Sequence, residues 1–218
     1  MLLWLVFINN NMSWVRNTMY ERLKPLVETY QEGNALLLGG PSQITNYLSK
    51  DIKITVTNYP EVDMECTGYD NETWDYVITD QCLEHVKHPW IAVKEMYRIL
   101  KRGGTVICTT CSYNPLHNVP IDCYRFFPDG MKALFEEFSN VKVDTWGSKE
   151  AIIDDINIGR NRVSEENQIK YLEQDDKVFP WVIWVVATKK AIIHNKTISK
   201  SSLKRHKKTK AFWGPKYS

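Results

Sequence analysis

The chain has 218 residues, 43% hydrophobic and 25% charged, with only ten glycines and nine prolines. That length suits one α/β domain with a sizeable core, and the composition excludes collagen-like, low-complexity and wholly disordered chains. The net charge of +2 hides an asymmetry: residues 189–218 hold 10 of the 28 Lys and Arg and no acid, which leaves 18 basic against 26 acidic residues, or −8, before them.

A basic end of this kind reads as a solvated tail, and nucleic acid is not an expected partner. The apolar run at residues 2–8 is far short of the roughly 20 residues that cross a bilayer. No basic residue precedes it as a signal peptide requires, so no membrane span, no secretion and a cytoplasmic location are expected. Cys66, Cys82, Cys108, Cys111 and Cys123 make no disulfide or zinc framework. Cys108 and Cys111 spell C-x-x-C inside a run of strand character, where an offset of three puts two side chains on opposite faces. The five thiols are therefore read as reduced and mostly buried.

In chain order, residues 13–30 place Trp14, Val15, Met19, Leu23 and Leu26 at near-helical spacing and predict an amphipathic helix. ALLLGG, residues 35–40, predicts a strand that ends in two glycines, and Pro41 suits the first turn of a following helix. A short helix over residues 43–48 and a strand over residues 52–58 complete a β-α-β unit, which implies parallel pairing. Residues 74–80 predict a buried strand. Residues 89–100 predict a helix closed by the cations Lys101 and Arg102 and by a glycine cap at Gly103. Further predictions are a strand at residues 105–110, a helix at 127–138, and strands at 141–146 and 181–190. Strands alternating with helices give a doubly wound α/β domain. The polar connection at residues 147–177, with Arg160 and Arg162, is longer than usual and is a candidate substrate cover.

Residues 63–104 carry a set of motifs in fixed order: Asp63, then Trp74-Asp75, then Leu83-Glu84-His85-Val86, then Arg98-Ile99-Leu100-Lys101-Arg102-Gly103-Gly104. The set resembles the central part of the class I S-adenosylmethionine-dependent methyltransferases of the type-11 group, and with flanking strands the resemblance spans roughly residues 34–146. It implies a mostly parallel seven-stranded Rossmann-like sheet with an antiparallel last strand. The implied division is a helical segment at residues 1–33, a methyltransferase domain at 34–190 and a basic tail at 191–218.

Carried over by position, the resemblance implies that S-adenosyl-L-methionine, leaving as S-adenosyl-L-homocysteine, lies along Gly39, Gly40, Pro41, Asn58, Tyr59, Asp63, Met64, Glu65, Asp80, Gln81 and Cys82. Gly39, Gly40 and the helix start would take the methionine carboxylate, and Asp63 the adenine amino group. The ribose position is usually acidic in the family. Here it is Asn58, with one acceptor and one donor, which implies weaker binding.

A second segment, His117-Asn118-Val119-Pro120-Ile121-Asp122-Cys123-Tyr124-Arg125-Phe126-Phe127-Pro128, resembles "H-x-x-P-x-D-Y-W-R-F-T-P" in type-11 enzymes of surface-polysaccharide synthesis. That implies methyl transfer to a sugar hydroxyl of a glycan, such as that of a deoxyhexose. An alcohol acceptor must lose a proton as the bond forms, which makes His85, His117 and Asp122 candidate bases and Tyr124 and Arg125 candidate substrate contacts; an Asp122–Arg125 ion pair that shapes the loop competes with those roles, because an Arg fork matches a carboxylate. His85 and His88 alone make a poor metal site, and no metal is expected. Methyl transfer to a small molecule or quinone precursor, and a non-catalytic methyltransferase-like interaction module, stay open as other readings. So do a homodimer and membership of a larger glycan-synthesis polypeptide or complex.

Overall fold

The computed structural model describes residues 13–117 and 121–191. The apolar segment at residues 2–8, the positions Asn118, Val119 and Pro120, and the tail beyond Ala191 lie outside the described residues. Helix α1 (Trp14–Val27) buries Val15, Met19, Leu23 and Val27, one residue per turn, and so presents a continuous apolar stripe.

The described strands are β1 (Gly33–Leu38), β2 (Ile52–Thr57), β3 (Trp74–Asp80), β4 (Leu100–Cys111), β5 (Ser139–Trp146) and β6 (Val182–Thr188), in the order β2-β1-β3-β4-β6-β5. β1 pairs in parallel with β2 and β3, and β3 with β4, while β6 runs antiparallel to both β4 and β5. Among the described residues the sheet therefore has six strands rather than seven. The stretch between β2 and β3 forms turns and a single bridge from Asp63 to Cys66, so no further strand flanks β2.

A parallel strand covered on both faces is apolar without interruption, and residues 35–38 of β1 are all buried. Ala35 and Leu37 face a core built with α1, with α4 (Lys149–Ile158) and with α5 (Glu165–Leu172). Leu36 and Leu38 face the opposite core, built with α2 (Pro89–Ile99) and α3 (Pro128–Leu134). The connection read as a cover is thus partly structural: Ala151, Val163 and Tyr171 are buried beside Trp146, and Trp14 packs against them. Arg162 at its tip is exposed.

Three local expectations are corrected. Helix α2 ends at Ile99, and residues 101–104 run on as strand because Gly103 N–H donates to the Lys189 carbonyl and Lys189 N–H to that of Gly104. Gly103 is therefore not a helix cap. Helix α3 stops at Leu134, and Phe135 and Phe138 reach the core from a turn. All five cysteines are free, but Cys66 and Cys123 are exposed, so burial holds only for Cys108 and Cys111, with Cys82 intermediate. No helix among the described residues is long and apolar enough to cross a membrane.

At the join of β5 and α4, Gly147 has no room for a side chain. A Cβ there would meet backbone alone: the Phe179 carbonyl oxygen, Trp181 N at 2.6 Å and Pro180 Cα at 2.8 Å. Gly147→Ala should cost about 2–3 kcal/mol by overpacking, lowering the thermal midpoint by roughly 5–10 °C for a domain of this size. An unchanged midpoint by calorimetry would refute this packing.

Candidate active site

β1 has β2 on one side and β3 on the other, so the strand order reverses there and a crevice opens beyond the carboxyl ends of the three strands. A cleft of about 1050 Å³ occupies it, lined by Gly39 and Pro41 after β1, Asn58 and Tyr59 after β2, and Asp80, Gln81 and Cys82 at the end of β3. Asp63, Met64 and Glu65 close one end. Arg16 of α1, with Glu84, His85 and His117, closes the other.

Asp80 holds this rim together. Its carboxylate accepts from the hydroxyls of Tyr20 at 2.5 Å, Ser42 at 2.7 Å and Thr109 at 2.5 Å, which come from α1, from the turn after β1 and from β4. Burial, and then the neighbouring Asp80 charge, push the Tyr20 phenol well above its ordinary range, so it stays a donor. Asp80 lines the cleft as expected from its position, but its oxygens are engaged by the protein.

The glycine turn departs from expectation. The N–H groups of Gly39 and Gly40 both donate to the Thr57 carbonyl, at 3.1 and 2.8 Å, and are not free for a carboxylate. The helix expected after Pro41 is a five-residue 3-10 turn (Gln43–Tyr47), and the Ser42 hydroxyl already accepts from Ile44 N–H. Gly40 is buried behind Gly39 and does not line the cleft. Gly39 has φ of +93°, and a Cβ on it would collide with the Cys82 thiol. Arg16 was not foreseen. It is half-buried, and its guanidinium has no hydrogen-bond partner among the described residues.

At the opposite end Asp63 is exposed, and one of its oxygens accepts from Glu65 N–H at 2.8 Å, which shapes the turn around buried Met64. Glu65 pairs with His88 at 2.8 Å. Behind this turn Glu95 of α2 accepts from the N–H and hydroxyl of Thr67, at 2.9 and 2.7 Å, and from Arg98 at 2.7 Å. The Cys82 thiol is pushed up to about 12, first by burial and then by the Glu84 and Asp80 charges, which keeps it protonated and unreactive.

The loop after β4 is strapped to the end of β3: the N–H groups of Cys123 and Tyr124 both donate to the Glu84 carbonyl. This carries His117 against His85, with ring centroids 4.9 Å apart and nearly perpendicular. His85 Nδ1 makes a short contact with the Ile121 carbonyl, which puts a proton on Nδ1 because a carbonyl oxygen only accepts. Glu84 is 1% exposed, takes the Thr110 hydroxyl at 2.7 Å, and is pushed upward first by its burial. Sequence reading passed over Glu84 as part of a motif; its burial needed the fold.

Asp122 touches the histidine pair through His117, whose backbone N–H donates to its Oδ2 at 2.9 Å and whose Nδ1 lies 3.4 Å from the same oxygen. Arg125 forks onto both oxygens of Asp122, at 2.5 and 2.7 Å, and also holds the Asn114 and Pro115 carbonyls. The guanidinium holds the Asp122 carboxyl far below the usual carboxylate range, so it cannot take a proton near neutrality. Tyr124 donates to the Lys87 carbonyl at 3.0 Å. None of the three lines the cleft, and their role is to shape its loop.

Glu95 provides a direct test of how the turn around Met64 is held. Its carboxyl lies near 2, chiefly because Arg98 hydrogen-bonds it. A carboxyl lowered on folding stabilises above its unfolded value near 4.5 and loses that contribution as pH falls towards 2. Glu95→Gln should therefore be less stable than the parent at pH 7, with the gap closing between about pH 4.5 and 2 in denaturant titrations. A gap independent of pH would overturn this.

Residues 42–108 match the family model of a methyltransferase domain. No curated protein sequence matches the chain. Among solved structures, a protein of Bacillus halodurans C-125 assigned as a methyltransferase superposes with a TM-score of 0.50 at 13% identity, covering 79% of this chain and 99% of that one. Haemonchus contortus phosphoethanolamine N-methyltransferase 2, solved with phosphomonomethylethanolamine and S-adenosylhomocysteine, gives 0.51 at 15% identity over 86% of this chain and 56% of its own. A chain from the complex of the Haloferax volcanii Trm112 methyltransferase activator with its assigned methyltransferase gives 0.52 at 14% identity, over 82% and 91%. These likenesses establish a shared fold.

Proposed function

We propose that this chain, a methyltransferase by its family match, takes its methyl group from S-adenosylmethionine bound in the cleft and delivers it to a sugar hydroxyl. The observation that carries the reading is the coincidence of the matched segment with a cleft at the strand-order reversal, polar at both ends. Asn58 and Asp63 receive the ribose and adenine, and Met64 lies against the ring. The carboxylate of the methionine half goes to Arg16, because the glycine amides are already engaged and a guanidinium matches a carboxylate.

Transfer needs the acceptor oxygen in line with the methyl carbon and opposite the sulfur. As the C–O bond forms, the C–S bond breaks, its electron pair stays on sulfur, and the hydroxyl proton leaves. His85 and His117 flank the place where that proton is lost; Asp122, ion-paired, does not take part. The sugar acceptor rests on the likeness of the loop that carries His117 to the polysaccharide-linked motif. The engaged glycine amides favour one second reading, a methyltransferase-like module that binds no cofactor.

Calorimetry with S-adenosylmethionine separates the two: saturable binding is expected, and no binding at millimolar concentration would leave only the module. Arg16→Ala should weaken that binding by about 10–100-fold, the value of a charged hydrogen bond, and Asn58→Asp should tighten it. His85→Ala should lower kcat by roughly 10²–10⁴ with cofactor affinity intact. Transfer of labelled methyl to sugar acceptors, with quinone precursors untouched, tests the acceptor class; the reverse pattern would overturn it.

A further inference from the structure

Glu84, His85 and His117 each offer one potential ligand atom, and these atoms all lie within 4.8 Å of one another. We infer that the three side chains bind a divalent transition-metal ion on the acceptor side of the cleft.

The cluster has the features that metal-binding histidines require. A ligating imidazole offers one nitrogen and donates from the other to a carbonyl or carboxylate that fixes its tautomer. His85 Nδ1 faces the Ile121 carbonyl, and His117 Nδ1 lies 3.0 Å from the Pro115 carbonyl and 3.4 Å from Asp122 Oδ2. The Asn114 amide also lies 3.3 Å from His117 Nδ1, and in the neutral tautomer that the carbonyls select each ring offers Nε2. At His117 that atom meets the Asn114 amide at 3.4 Å, a long contact that a metal displaces. On Glu84 one oxygen is oriented by the Thr110 hydroxyl at 2.7 Å, while the other lies 3.9 Å from the Cys111 thiol. A 1% exposed carboxyl in such surroundings gains most from a cation that offsets its desolvation.

Two imidazoles and one carboxylate select zinc, cobalt, iron or manganese over magnesium and calcium, which prefer all-oxygen shells. Ligand atoms in a loaded tetrahedral zinc site stand roughly 3.3 Å apart, given bonds of about 2.0–2.1 Å. The cluster must therefore draw in by about an ångström or more at its widest, within reach of side-chain rotation. All three residues line the cleft, so the ion keeps open positions towards the acceptor.

This rests on the proposed methyl transfer only for its purpose. A hydroxyl coordinated to the ion loses its proton to solvent at neutral pH, and the resulting alkoxide attacks the methyl carbon while sulfur keeps the C–S electron pair. The two histidines then act as ligands that hold the activating ion.

The test uses the full chain, stripped of metal with a chelator and titrated with Zn²⁺ by calorimetry and with Co²⁺ by its visible absorption. One ion per chain is expected, with negligible heat from Mg²⁺. His85→Ala and His117→Ala should each weaken Zn²⁺ binding by at least about 100-fold, exceeding the loss typical of outer-shell changes. Both keep Glu84 intact, so they serve if Glu84→Gln fails to fold. His88→Ala, whose ring pairs with Glu65, should leave Zn²⁺ affinity unchanged. Absence of stoichiometric Zn²⁺ binding, or binding untouched by both histidine variants, would overturn the inference. S-adenosylmethionine binding measured on the same samples tests the methyltransferase reading separately, since either can fail while the other stands.

Discussion

One carboxylate organises the site. Asp80 ends β3 in the middle of the sheet, and three hydroxyls from separate parts of the chain converge on it. Each bond alone contributes modestly, but a buried network with its polar groups paired fixes one arrangement and penalises the others. Because Tyr20 belongs to α1, the network fastens the helix across the open end of the sheet. Tyr20 and Arg16 are four residues apart and share one helix face, so the bond that anchors the first carries the second to the cleft. The rim therefore depends on a carboxyl whose oxygens the protein itself engages.

The other wall is built by a strap. The Glu84 carbonyl accepts two N–H groups of the loop after β4, while Arg125 folds that loop through Asp122 and the Asn114 and Pro115 carbonyls. These contacts bring two imidazoles and a buried carboxyl within 4.8 Å of one another. Asp122 and Arg125 pair with each other inside the loop, while Glu84, His85 and His117 line the cleft.

What the sequence made legible follows from local physics. The runs at residues 35–38 and 74–80 are apolar because a parallel strand is covered on both sides, and Pro89 starts α2 where a missing N–H costs nothing. Asn58 and Asp80 line the cleft because they lie at the ends of β2 and β3, and Asp63 lines it from the connection between those strands. Illegible was whatever depends on distant partners. The glycine amides look free until β2 is placed in register, which brings the Thr57 carbonyl over them. Asp122 reads both as a base and as an ion pair with Arg125 that shapes the loop, and the fork between them decides for the pair, while the short extension of β4 past Gly103 needs Lys189, far along the chain. Arg16 lies outside every recognisable motif and enters the site only through the helix that Tyr20 anchors.

A crystal structure with S-adenosylhomocysteine tests this account most directly. The account predicts the nucleoside against Asn58, Asp63 and Met64, the carboxylate on Arg16, and the sulfur directed at the His85 and His117 side of the cleft. A nucleoside bound elsewhere, or a cleft left empty by saturating ligand, would contradict it.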